Sequence, residues 1–403
     1  MILDQIFMKI LLIIIDGLGD EPIPQLDGKT PLDKAFTPNL DWLAENGVCG
    51  LIQPFIYNSA IPTSEDTHFA LFGYNPEIYG IRRGLMTARG AGIKVRKGDV
   101  ALRGNFATVD EELNIIDRRA GRIKNPAALI KALNGMKIDN VKFFLKTAGE
   151  HRVGIVMRGK NLNPNISDGD PYYGKLGMRA RKIKPLDKSK TATFTAQVLN
   201  EFLEKAHQIL KTHSQNKKRK KLGFPAANYI LVRGASAILK LPSFKEKYGL
   251  KSCCIAGKFL YQQIGKILGM DLVKVQGATG LPNTNLKGKF EVAKKAFKNY
   301  DFVFLHIKAT DSLAEDGNFS GKKEFIEKID QNLKSILDFK ETLIVITADH
   351  STCSLKKRHC KRPCPILIYG KGKDSVKRFS EKACLKGSLS KIEQLNLMAQ
   401  ILK

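Results

Sequence analysis

Two carboxylates and one Asp-His pair stand at the ends of apolar runs of strand length. LLIIID ends at Asp16, FVFLHIKATD ends at Asp311, and LIVITADHST carries Asp349 and His350. Open α/β sheets build their sites at such C-terminal strand edges, where loops converge without interrupting the hydrophobic layers. Carboxylates arriving from separate strands and joined by an imidazole make a cradle for one or two divalent metals. Around them, the glycines of Asp16-Gly17-Leu18-Gly19-Asp20 let the backbone turn sharply beneath a metal-binding carboxylate. The hydroxyl-rich stretch Pro62–His68 (PTSEDTH) leads into a helix-like segment. Ser64 there is either an ordinary helix N-cap or, beside metal ligands, an ionisable nucleophile.

Asp311 and Glu315 are four residues apart, which on a helix puts both on one face able to share a cation; a solvated acidic turn is the plainer reading. The stretch Ala348–Pro365 adds Cys353, His359, Cys360 and Cys364. It offers metal ligands of the same centre or, alternatively, a closed structural zinc site, although its cysteines are not spaced as CxxC pairs.

The elements that must position these groups follow a strand, loop, helix rhythm. Thr37-Pro38-Asn39 reads as a helix start, with Thr37 as N-cap, Pro38 at the first helical position and Gly47 closing the element. Asp99–Val109 and Val141–Gly159 read as strands, and Asn161–Lys175 as a long polar loop. Thr191–Lys211 has a helical pattern, and the basic run Asn216–Lys221 is its solvated exit. Tyr229–Arg233, Ser252–Ile255 and Leu272–Val275 are strand candidates that return to a parallel-sheet rhythm. The expected fold is α/β: a mostly parallel sheet flanked by helices over residues 1–100 and 186–403, interrupted by a smaller α/β domain over 101–185.

With 403 residues and 43% hydrophobic content the chain can bury a large core and form two domains. The formal charge of +28 favours anionic partners and an acidic substrate; nucleic acid is the lesser reading of NKKRKK. Seven cysteines, an odd number in a chain too long to need staples, suit a reducing cytoplasm. No apolar run reaches the roughly 20 residues that span a bilayer, and no secretory signal is expected. Met8-Lys9, directly before the first strand, would make a natural start.

At this point the motifs carry a resemblance. Ile15-Asp16-Gly17, Gly28–Leu32 (GKTPL), Thr37-Pro38-Asn39, the Pro62–His68 loop, Gly73–Pro76 (GYNP), Ala88–Ile93 (ARGAGI) and Gly104–Thr108 (GNFAT) run in order, followed by Asp117–Ile123 (DRRAGRI), Glu150-His151-Arg152, Gly277–Gly280 (GATG), Ile307–Asp311 (IKATD) and Asp349–Thr352 (DHST). Together they resemble the archaeal-type cofactor-independent phosphoglycerate mutases of the alkaline phosphatase superfamily, over nearly the whole chain. The resemblance implies an α/β domain holding two divalent metals and an inserted domain that closes over them. It implies one metal on Asp16, Ser64, Asp349 and His350, with Ser64 becoming phosphorylated, and a second on Asp311, His359 and position 315. It also implies no requirement for 2,3-bisphosphoglycerate. Arg118, Arg119, Arg122, Arg152 and Lys308, in matched segments, are the expected substrate-binding groups for phosphoglycerate.

Four positions depart from the family pattern: Thr63 for Gly, Glu65 for Asp, Glu315 for His, and Arg362 for Asp. Glu315 moves the expected metal preference toward Mn²⁺ or Mg²⁺, with Zn²⁺ or Co²⁺ as alternatives. Two other readings stay open: a related phosphotransferase or phosphatase, such as a homoserine kinase-like enzyme, and a binding homologue weakened in catalysis.

Overall fold

The computed structural model describes residues 9–56, 61–79, 82–171, 177–238, 241–339 and 341–403. The start at Met8 and the Tyr172–Lys175 end of the polar loop lie outside them. The chain divides into two compact units, Met1–Tyr79 with Leu241–Lys403, and Gly80–Lys240. In chain order the strands are β1 (Lys9–Ile15), β2 (Gly47–Gln53), β3 (Val100–Val109), β4 (Ile115–Asp117), β5 (Lys137–Ile138), β6 (Val141–Thr147), β7 (Arg152–Arg158) and β8 (Tyr229–Ser236). There follow β9 (Ser252–Ile255), β10 (Asp271–Leu272), β11 (Phe302–Ile307), β12 (Thr342–Thr347), β13 (Ser351–Cys353), β14 (Arg358–Cys360), β15 (Cys364–Tyr369) and β16 (Ser390–Glu393).

The discontinuous unit is built on an eight-stranded sheet in the order β10-β9-β11-β1-β12-β15-β2-β16. It is mostly parallel; only the pairs of β15 with β12 and with β2 are antiparallel. Its three central strands are buried along almost their whole length, which is why they read as continuous apolar runs rather than as alternating ones. Their register explains the site. Ile15 pairs with Ile307, and Ile14 pairs with Thr347, so the next residues to leave the sheet, Asp16, Lys308 and the Ala348–Asp349 turn, emerge side by side at one edge. The helix Pro38–Glu45 starts as expected on Pro38, but the Thr37 side chain does not cap it. The carboxylate of Asp330 accepts from the Asn39 and Leu40 amides instead, at 3.3 and 2.7 Å.

The second unit carries a six-stranded sheet, β4-β3-β7-β6-β5 with β8 on the other side of β3. It is wider than the expected 101–185. The helix Arg83–Gly90 packs Leu85 and Ala88 against Ala101 and Val156. The helix Lys190–Thr212 contributes Ala196, Leu199, Phe202 and Leu203 to the same unit's core, with Phe202 stacked on Phe143 at 4.0 Å. Tyr229–Ser236 does not rejoin a parallel sheet; it pairs antiparallel with β3. Because β8 follows a long helical excursion, local pattern could not show which sheet would receive it. The run Asn216–Lys221 is the end of a helix, Ser214–Lys221.

Candidate active site and metal centre

Asp16 follows β1, Lys308 follows β11 and leads into the helix Ala309–Glu315, and Asp349-His350 follows β12. Gly17 makes their approach possible. Its φ is +65°, and a Cβ there would lie 2.6 Å from Thr352 Oγ1 and 2.7 Å from Asp311 Cβ. Only a residue without a side chain lets the Asp16 turn, the Asp311 helix and Thr352 share this space. Ser64 is the first residue of the buried helix Ser64–Leu71; the N-cap is Thr63, whose hydroxyl accepts from the Asp66 amide. Thr63, in place of the family's Gly, holds an extended φ of −111° that suits a β-branched residue. Ser64 Oγ lies 3.2 Å from His350 Nε2.

Two groups of donors form around His350. Asp16, Asp349 and His350 bring one ligand atom each within 4.8 Å of one another, and Asp311, His350 and His359 do the same. The expected partition gave His350 to one ion alone, whereas its position serves both groups. The hairpin of β13 and β14 sets Thr352 opposite His359 and brings the His359 ring onto that of His350, with centroids 3.7 Å apart. Thr352 Oγ1 donates to Asp311 Oδ1 at 2.5 Å and lies 3.2 Å from His350 Nδ1, linking the two groups. Asp311 and Glu315 are on one short helix, as their spacing predicts. Glu315 is half exposed; its carboxylate is 3.8 Å from His359 Nε2 and stands outside both triads. Arg362 is exposed and takes part through its carbonyl, which accepts from Ser351 Oγ.

The electrostatics are those of a buried cluster in which carboxylates face an ammonium and imidazoles. Asp16, Asp311 and Asp349 are fully buried within it. Asp349 Oδ2 accepts no hydrogen bond among the described residues, and burial together with the charge of Asp16 holds this carboxyl well above the usual range. Asp311 stays well below it: burial opposes ionisation, but the Lys308 ammonium and His359 prevail. Lys308 donates to Asp16 Oδ1 at 3.3 Å and to Asp311, and despite burial these carboxylates keep it firmly protonated. Burial also pulls His359 down, yet its hydrogen bond to Asp311 carries it up to about 9. Glu315 is raised by burial and by Asp311. Three clustered carboxylates, one of them with an oxygen that accepts no hydrogen bond among the described residues, together with imidazoles on the same face, fit a divalent cation in donor type and charge.

Several residues of the site were missed from sequence. Tyr261 donates its hydroxyl to Asp16 Oδ2 and stacks on His306 at 3.5 Å; His306 Nε2 is 3.2 Å from the same oxygen. His68 Nδ1 lies 2.7 Å from the Ser64 carbonyl and 3.4 Å from Asp349 Oδ2; burial, then His306, lowers its pKa to about 3. Behind the Asp16 turn, fully buried Lys322 donates to Asp20 Oδ2 at 2.9 Å and to the Gly19 and Thr352 carbonyls at 3.1 Å each. The one sequence signal was a histidine inside the otherwise apolar strand FVFLHI. The cysteine reading needs correction too. Cys353 and Cys360 form a disulfide, with Cα atoms 6.0 Å apart, so they are neither free thiols nor zinc ligands.

Residues 8–403 match the family model described as Metalloenzyme superfamily. A 2,3-bisphosphoglycerate-independent phosphoglycerate mutase of Methanococcus aeolicus is 45% identical over 98% of this chain and 97% of its own. That of Archaeoglobus fulgidus, designated 1, is 43% identical over 97% and 96%. The solved cofactor-independent phosphoglycerate mutase of Thermoplasma acidophilum superimposes with a TM-score of 0.71 at 35% identity, over 98% of this chain and 99% of that one. The chain belongs to the cofactor-independent phosphoglycerate mutases.

In this mutase-family chain the second unit gathers guanidinium groups. Arg118 pairs with buried Asp170, Arg152 Nη1 lies 3.9 Å from Glu150, and Arg119 and Arg122 are exposed. Ala120, Gly121 and Arg122 all have positive φ, at 46°, 60° and 52°, and Asp117 accepts from the Arg119 and Gly121 amides to hold the turn. Such left-handed backbone in non-glycine residues is costly and concentrates at functional segments. Sequence inspection missed Arg103 and Arg233, which face each other across β3 and β8. Beside them His151 is buried; burial first, then the charges of Arg152, Arg119, Arg103 and Arg122, lowers it to about 4.

Proposed function

We infer that the protein interconverts 3-phosphoglycerate and 2-phosphoglycerate through a phosphoserine at Ser64, without 2,3-bisphosphoglycerate. The observation that carries this reading is the Ser64 hydroxyl at the start of a buried helix, 3.2 Å from His350 and beside the carboxylates of the two donor groups. In this reading Asp16, Ser64, Asp349 and His350 hold one divalent ion, and Asp311, Glu315 and His359 the other, with Mn²⁺ or Mg²⁺ favoured by the oxygen-rich set. When bound, the ions lower the pKa of the serine hydroxyl and offset charge on the phosphoryl group.

The chain's own groups do the rest. Ser64 Oγ forms a bond to phosphorus as the bond to O3 of 3-phosphoglycerate breaks, and O3 takes up a proton in place of the one Ser64 has lost. Glycerate then presents O2, whose attack on the phosphoserine restores the serine hydroxyl, so protons and atoms balance over the cycle. Lys308, held between Asp16 and Asp311, is placed to donate to a phosphoryl oxygen. Arg118, Arg119, Arg122 and Arg152, joined by Arg103 and Arg233, bind the carboxylate and phosphate of the substrate, since a guanidinium fork matches both bidentately.

The test is acid quenching after mixing with phosphate-labelled substrate. The wild-type chain should carry label on Ser64, and Ser64→Ala should lose about 10⁴-fold or more in kcat, as removal of a covalent nucleophile does. Near-normal turnover in that variant, or label on Thr63 or Thr67, would reject the mechanism.

A further inference from the structure

We propose that the Cys353–Cys360 disulfide is a redox modification site that governs how firmly His359 is held, opened by a dithiol reductant. The proposal rests on the reading of His359 as a metal ligand. The hairpin bearing His359 has only three residues in each strand and forms a sheet separate from the eight-stranded one. A two-stranded ribbon of this length is marginal on its own in water.

Its two strands are anchored very differently. Ser351, Thr352 and Cys353 are buried. The Thr352 amide donates to Gly19 O at 2.9 Å, its hydroxyl donates to Asp311, and Ser351 Oγ donates to Arg362 O. In the opposite strand Arg358 is exposed, and His359 and Cys360 are only half buried. The disulfide runs diagonally, since Cys353 faces Arg358 and Cys360 faces Ser351. It therefore ties the immediate neighbour of His359 to the anchored strand. Beside the ladder, His359 is held by non-covalent contacts, with the Pro62 carbonyl at 2.9 Å, with Asp311 Oδ1 at 3.4 Å and by its stack on His350, and the disulfide is the covalent tie of this strand.

Unequal burial also sets the direction of attack. Cys353 is fully buried and Cys360 is only half buried, so an incoming thiolate reaches Cys360 before Cys353. A bond forms between the reductant sulfur and Cys360 Sγ while the Cys353–Cys360 bond breaks, and Cys353 leaves as a thiolate and takes a proton. The reductant's second thiolate then closes the reductant's own disulfide and releases Cys360 as a thiol. Two electrons and two protons pass from the dithiol to the protein. The freed strand leaves His359 to its non-covalent contacts alone, and loss of such a support weakens metal binding by about 10- to 100-fold.

The experiment uses the full chain, air-oxidised or treated with dithiothreitol and then freed of it anaerobically. Mn²⁺ titration followed by electron paramagnetic resonance is read beside a count of alkylatable thiols and Trp42 fluorescence. Reduction should expose two more thiols, raise the weaker Mn²⁺ dissociation constant about 10- to 100-fold, and leave Trp42 emission native. Cys353→Ser with Cys360→Ser should match the reduced wild type and ignore the reductant. Equal Mn²⁺ affinity in both redox states, or no gain in thiols, overturns the proposal; the reversible wild-type comparison decides even if the double variant fails to fold. A His359→Ala chain that still binds both Mn²⁺ ions refutes the ligand reading itself, which separates that failure from this one.

Discussion

Replacing Lys322 by Met tests whether the site depends on a buried charge that never touches substrate. Lys322 and Asp20 are both fully buried, and the ammonium uses its three donors on Asp20 Oδ2 and on the carbonyls of Gly19 and Thr352. Removing it leaves a carboxylate that still accepts from the Ser354 amide and hydroxyl but has no counter-charge. Breaking one side of a buried pair costs roughly 3–5 kcal/mol. In a unit of this size each kcal/mol moves the midpoint by about 2–4 °C, so a fall of roughly 6–20 °C is expected. Trp42, the single tryptophan, lies in this unit 5.5 Å from the ring of Tyr369, and its fluorescence reports the transition. Asp20→Asn combined with Lys322→Met should recover much of the loss, because the amide no longer requires a counter-charge. A loss below about 1 kcal/mol in Lys322→Met, or full additivity in the double variant, would refute the reasoning.

Gly17→Ala should cost at least about 1–2 kcal/mol from left-handed backbone alone, and its methyl group must push Asp311 or Thr352 aside; unchanged metal content by mass spectrometry would show that the close approach is not needed. Glu315→Ala should lose one metal equivalent, whereas Glu315→His should keep two and turn toward Zn²⁺; two equivalents retained in the alanine variant would place Glu315 outside the coordination sphere. His151, lowered to about 4 against 6.5 when exposed, should titrate near 4 by NMR. As pH falls through 6.5 the unfolded chain takes up this proton first, so the stability tied to neutral His151 is complete above 6.5 and is lost on descending to 4. His151→Gln should flatten acid unfolding in that window, and an unchanged profile would dismiss the shift.

Asp16 and Asp349 were legible because a strand buried on both faces must be apolar throughout, so a charge just past its end stands out, and Asp311 was read as a strand end although it lies in the first turn of the helix after β11. Glu315 on the face of Asp311 followed from helical spacing alone. The supporting layer was not legible. His306 and Tyr261 lie inside apolar segments, where a histidine or tyrosine reads as core, His68 closes a hydroxyl-rich stretch in which Ser64 drew the chemistry, and Lys322 sits in a helix whose other lysines are solvated. The width of the second unit escaped for a different reason: β8 joins β3 across more than a hundred residues, and no local pattern encodes a partner that distant. The Cys353–Cys360 bond depended on the diagonal register of a six-residue ribbon, which cysteine spacing does not reveal.

The Lys308 ammonium, set between Asp16 and Asp311, has a consequence for how the protein matures. Carboxylates crowded at one sheet edge repel one another while the central strands dock, and a site that relied on imported cations for neutrality could not close before they arrived. This chain brings its own placeholder charge, encoded one residue after β11, so the sheet edge can assemble first and be loaded afterwards. The cost falls on loading: an arriving dication meets a lysine already in contact with two of its carboxylates, and must win them from it.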